Sequence, residues 1–97
     1  VKPGTADYLA KAEECLDAAR KVIAIRLPAV AAKEAYLAAY HAAQAFVFEA
    51  TSKVAKTHSG IRTLFARVAK DDPRIDPAFA SHLANAYKYK EITPKAQ

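Results

Sequence analysis

The 97 residues predict an all-α protein, an antiparallel up-and-down bundle of four helices. Three observations point there. Apolar residues recur at helical spacing in four successive segments. Much of the 53% hydrophobic content is Ala, the strongest helix former, and only two Gly are present. Pro or short polar clusters separate the segments, so the connections are brief. Residues 1–97 read as one domain: the length suits a single core, and no linker, repeat or low-complexity stretch divides it.

The first helix is predicted from Ala6 to Ile25, with Thr5 as its N-cap. Leu9, Ala12, Leu16, Ala19 and Ile23 form its apolar stripe. Lys11, Glu14, Asp17 and Lys21 lie off that stripe, and Asp17 and Lys21 stand i, i+4 apart, where opposite charges meet.

The second helix is predicted from Pro28 to Thr51. Pro suits a first helical turn, where its missing N–H costs nothing. Tyr36, Ala39, Tyr40, Ala43, Phe46 and Val47 share one broad face. The other side carries Lys33, Glu34, His41, Gln44 and Glu49, but also Leu37, Ala45 and Phe48. A helix apolar nearly all round is buried on more than one side. A small monomer leaves part of such a helix exposed, so the pattern points to a homodimer with this helix at its seam. Leu37, His41, Gln44 and Phe48 are the candidate interface residues.

After a loop or frayed end over Ser52 to Lys56, a third helix is expected from Ser59 to Lys70, capped by Ser59 or Thr57. Ile61, Leu64, Phe65 and Val68 form its buried face, and Asp71-Asp72-Pro73 breaks it. The fourth starts at Asp76-Pro77, an N-cap followed by Pro, and runs to Tyr89 or Ile92 before Thr93-Pro94 stops it. Phe79, Leu83 and Tyr87 line up along it.

The net charge of +5 and sequence pI near 9.4 suit attraction to RNA, to nucleotide phosphates or to an acidic partner. The charges are spread along the chain, so an ordinary solvated surface is the plainer account. Cys15 is the one cysteine, which excludes an internal disulfide and fits a reducing cytoplasm. With Ala12, Leu16 and Ala19 around it, it is expected to be a small buried hydrophobe rather than a nucleophile. No apolar run is long and uncharged enough for a membrane span. Val1 to Pro3 do not resemble a signal peptide. With no methionine present, the natural start is expected to lie outside these residues.

The three histidines, His41, His58 and His82, fall in different segments, and no pair shares a helical face as metal ligands do. Gly4 and Gly60 are isolated, so no phosphate-cradling Gly-rich loop exists. No Ser-His-Asp order is legible. No metal, no cofactor and no catalytic centre are therefore expected. His41, mid-helix, reads either as a hydrogen-bonded histidine of the seam or as a ligand or phosphate contact. The densest polar run is Lys56-Thr57-His58-Ser59-Gly60-Ile61-Arg62, at a helix start, where free N–H groups and the helix dipole favour an anion. Lys56, His58, Ser59 and Arg62 are candidate phosphate donors there; the alternative is a loop that only caps the helix. Tyr87, Lys88, Tyr89 and Lys90 mix aromatic and basic side chains, as single-stranded RNA binders do. Tyr87 in the core with a solvated end is the other reading.

These segments resemble a known family. Ala35-Tyr36-Leu37-Ala38-Ala39-Tyr40-His41-Ala42-Ala43-Gln44-Ala45 is similar to the A-Y-Y-A-x-F-H-A-A-R-A helix of a HEPN subfamily of small prokaryotic proteins. Lys56-Thr57-His58-Ser59-Gly60-Ile61 with Leu64-Phe65 resembles its K-T-H-S-G-V…L-F segment. Ala86-Tyr87-Lys88-Tyr89-Lys90-Glu91-Ile92 resembles its closing A-Y-x-x-R/K-E-x-A-D-Y signature, and Tyr8 to Leu16 also fits. The resemblance covers nearly the whole chain. Leu37, Gln44 and Thr93-Pro94 depart from the pattern.

The resemblance implies a HEPN-like bundle of four or five helices, often homodimeric. It implies a minimal nucleotidyltransferase as partner, in a toxin–antitoxin-type pair. Active HEPN toxins are metal-independent ribonucleases carrying R-x4–6-H. No Arg here has a His at that spacing; Arg74 and His82 come nearest, with seven residues between. The expectation is therefore a binding module for partner protein and nucleotide. The alternative is a ribonuclease toxin using His41 or His58 with an Arg from the other subunit.

Overall fold

The computed structural model describes residues 1–76, 78–81 and 83. The protein is an all-α helical bundle: α1 spans Pro3–Ala24, α2 spans Pro28–Thr51 and α3 spans His58–Ala69. Residues 78–81 and 83 are helical as well. The expected run of that last helix through Tyr87 to Tyr89 or Ile92, with its Tyr87-Lys88-Tyr89-Lys90 cluster, lies outside the described residues, as do Pro77 and His82.

α1 begins three residues before the expected start because Pro3 occupies the first turn. Thr5 is consequently inside the helix and is not its cap. It is buried, and its hydroxyl donates to Oε1 of Glu49 at 2.8 Å. The Lys2 backbone N–H donates to the same oxygen at 3.0 Å. The Lys2 ammonium donates to the Phe48 carbonyl at 3.3 Å and to Ser52 Oγ at 2.7 Å. These bonds fix the start of α1 against the end of α2, so the two helices run antiparallel. Beside them the Tyr8 ring meets Phe48 edge-on at 5.9 Å. Gly4 is small for a reason: a Cβ there would stand 2.5 Å from the Phe48 ring.

The face α1 gives to α2 carries Thr5, Tyr8, Ala12, Cys15, Ala19 and Val22, all buried or half-buried. The apolar stripe expected from the sequence is only half right. Ala12 and Ala19 point inward, but Leu9, Leu16 and Ile23 are 43%, 41% and 53% exposed. The helix then closes in a Schellman turn: Leu27 N–H reaches the Val22 carbonyl at 3.0 Å, and Arg26 N–H reaches Ile23 at 3.1 Å. Arg26 takes the left-handed conformation, φ 61°, that this turn demands.

α2 has the expected bounds and is the spine of the molecule. Tyr36, Tyr40, Ala43 and Val47 face Ile61, Phe65 and Ala69 of α3, and Leu83, in one core. Phe46 meets Phe65 edge-on at 5.5 Å, and Phe79 meets Phe65 at 5.4 Å. Val47 and Ile61 are fully buried, each a gain of about 1.5–3 kcal/mol over exposure. With α1 on its opposite side, α2 leaves none of its large apolar side chains exposed. Its all-round apolar pattern is thus accounted for within one chain.

Thr57 is the N-cap of α3; its Oγ1 accepts from Gly60 N–H at 3.0 Å. His58 lies against Tyr36 and Tyr40, whereas Phe65, two turns later, lies against Phe46. The connection after Ser52 therefore doubles back over the last turns of α2 before α3 sets off. Past α3, Asp72 accepts from the backbone N–H, Nε and Nη2 of Arg74 at 2.8–3.0 Å. Asp76 then caps the next helical residues, accepting from Ala78 N–H at 2.9 Å as its sequence position predicts. Among the described residues no helix is long and apolar enough to cross a membrane.

Candidate functional site

Where α3 begins, two tyrosines of α2 form a platform under a histidine. The His58 ring stacks on Tyr40 with centroids 4.1 Å apart and planes within 15°. Its Nδ1 is 2.6 Å from the Tyr36 hydroxyl, and the Tyr36 ring lies 5.6 Å away at 18°. Tyr36 and Tyr40 sit one helical turn apart on the same face, which is why both rings reach one imidazole. Both are buried; their rings fill the core while their hydroxyls serve the polar group at its edge. Burial pushes the Tyr40 phenol above its usual pKa, with the nearby Tyr8 a lesser cause.

The network continues along α2. Gln44 Nε2 donates to the Tyr40 hydroxyl at 3.4 Å, and Gln44 Oε1 is 2.6 Å from Nδ1 of His41. An amide oxygen has no proton to give, so Nδ1 of His41 donates, and in the neutral ring Nε2 is left as acceptor. The His41 ring is tilted against Tyr40 at 5.3 Å. Tyr40 therefore lies between the two histidines, and the structure joins His41 and Gln44 of α2 to His58, which the sequence left on a separate segment.

Lys56 and Ser59 are exposed on either side of half-buried His58. Arg62 is half-buried and lies one turn beyond His58, on the same face of α3. The four candidate phosphate donors thus occupy the approach to α3 and its first two turns. Thr57 supplies the cap, so Ser59 is not needed for it.

Of the candidate interface residues, Leu37 packs against the core cluster and Phe48 is taken up by α1, under Tyr8 and the Lys2 ammonium. His41 and Gln44 bond to each other, both half-buried. Tyr36 and Tyr40 belong to the site but read only as core in the sequence; tyrosine rather than phenylalanine at both positions was the available signal.

Cys15 is half-buried rather than buried. Burial, then the negative charges of Glu34 and Glu14, push its thiol pKa up, away from nucleophilic chemistry. Among the described residues no cluster of His, Cys, Asp or Glu is arranged to hold a metal ion. Set beside known proteins, residues 5–93 match the family model described as the HEPN domain. No curated protein and no solved structure matches the chain.

Proposed function

Given that the chain belongs to the HEPN family, we propose that it is a homodimeric binding module. In this reading residues 1–97 act as one domain in a reducing cytoplasm. The module associates with a minimal nucleotidyltransferase in a toxin–antitoxin-type pair and holds the phosphate of a nucleotide or RNA at the start of α3. The observation that carries the phosphate site is His58, fixed by stacking on Tyr40 and by its bond to Tyr36. A side chain held this way has already lost its rotamer freedom, so a ligand does not have to freeze it. Lys56 and Arg62 add charge, Ser59 adds a hydroxyl, and the helix dipole favours an anion. The overall charge of +5 draws such ligands in.

Calorimetry with AMP, ATP and a short single-stranded RNA tests the site. Binding by the wild type that weakens about tenfold or more, roughly 1.4 kcal/mol, in the Lys56→Ala/Arg62→Ala variant is the expected result. No binding, or equal affinity in the variant, rejects it. A tagged chain expressed in its native host should retrieve a nucleotidyltransferase, and a retrieval without one removes that partner.

One observation favours a second reading, a metal-independent ribonuclease. His58 and Arg62 stand one turn apart on α3, so a general base and a cation share a face within a single protomer. Purified protein that leaves RNA intact without added metal discards this reading. Cleavage that survives both His41→Ala and His58→Ala moves its centre elsewhere.

A further inference from the structure

The apolar side chains that α1 leaves outside are ordered, not scattered. Leu9, Leu16 and Ile23 recur every seven residues, so they fall within about 40° of one another on the helix. Residues at that period hold one of the two apolar positions of a helix-pair heptad, so they keep to one side of the helix along its length. The line they form runs along the shoulder of α1, next to the face packed on α2, for about 21 Å. At Leu9 it opens into an apolar groove of about 520 Å³ walled by Ala42, Phe46, Val68 and Ile75. Glu13 and Arg20 flank the line on its outer side. Both are exposed, and neither forms an ion pair or side-chain hydrogen bond among the described residues.

We propose that this line is a two-fold seam with α1 of a second copy, antiparallel and centred on Leu16. The charges select both the partner and the direction. Run antiparallel about Leu16, Leu9 faces the partner's Ile23 and Glu13 faces the partner's Arg20, each pair occurring twice, while Leu16 meets the partner's Leu16 once, on the axis. Run parallel about a two-fold along the helices, Glu13 and Arg20 of one copy would lie on the opposite side of the seam from those of the other, and the charges would find no partners. A surface that complements itself by rotation is what an isologous dimer requires. The inference rests on the homodimer reading and places its seam on α1, because α2 spends its apolar side chains inside the chain.

Sedimentation equilibrium with the full chain tests it. The wild type should be a dimer. Leu16→Glu should be a monomer with unchanged helical circular dichroism, since Leu16 is 41% exposed. Glu13→Arg and Arg20→Glu should each weaken the dimer about tenfold or more, and the double exchange should restore it. A dimer that persists in Leu16→Glu overturns the seam and leaves the homodimer standing; a monomeric wild type removes both. If Leu16→Glu disturbs the fold, oxidised mixtures of Leu9→Cys and Ile23→Cys chains, each in a Cys15→Ser background, decide. The antiparallel seam links position 9 of one chain to position 23 of the other, and no such link overturns it.

Discussion

The Tyr36 hydroxyl stands 2.6 Å from Nδ1 of His58, joining the middle of α2 to the first residue of α3. Tyr36→Phe keeps the ring in the core and removes the bond. Stability should fall by about 1 kcal/mol, the usual net worth of one such bond, measurable by urea denaturation. Affinity for AMP should fall with it, because His58 then keeps its stacking on Tyr40 but loses a restraint on its position.

Arg26 holds a left-handed conformation at the end of α1. For a residue with a Cβ that costs about 1–2 kcal/mol. Glycine avoids this cost but gives back about 0.5–1 kcal/mol through its freer unfolded chain. Arg26→Gly should therefore raise stability by roughly 0.5–1 kcal/mol, seen as a higher midpoint in thermal melts.

Gly4 lies in a helix, where a larger residue ordinarily helps. Here the added atom meets the Phe48 ring, which Tyr8 and Lys2 hold in place. Displacing that ring should outweigh the gain in helix propensity, about 0.3–0.5 kcal/mol for Val over Gly. Gly4→Val should destabilise by about 1–3 kcal/mol, with a lower urea midpoint.

Acid should weaken the molecule at two carboxylates. The hydrogen bonds from Arg74 hold Asp72 down at about 2, against an ordinary 3.8. Bonds from the Lys2 N–H and the Thr5 hydroxyl lower Glu49 as well. In the window between those two Asp72 values the unfolded chain takes up a proton that the folded chain refuses. The stabilisation is complete above the higher value and drains away as pH falls through the lower one. Melting temperatures followed through this window should drop, and Asp72→Asn should flatten the decline.

The sequence revealed the elements better than it revealed their orientation. Pro28 and the long apolar run set the bounds of α2, and the Thr57-to-Gly60 cap was one of the two offered for α3. Thr5 misled because a threonine before an apolar run has the same appearance whether its oxygen caps its own helix or reaches Glu49 on another. The stripe on α1 misled for a related reason. Its buried side is made of Thr5, Tyr8, Ala12, Cys15 and Ala19, small or part-polar residues that hydropathy undervalues, while Leu9, Leu16 and Ile23 stand beside them. At the site, Lys56 to Arg62 was legible as a polar helix start. The tyrosine platform was not, since only the fold brings positions 36, 40 and 58 together.

Among the three described helices, the backbone of α1 packs along α2 and stays apart from that of α3. Among these elements, one long side of α1 therefore makes its attachment. Such a helix can lift away as a unit while the rest stays folded. Its amide protons then exchange with solvent as a block, ahead of the amides in the middle of α2. Anything that clasps the exposed shoulder would slow that block alone, so exchange at α1 reports occupancy of its outer side.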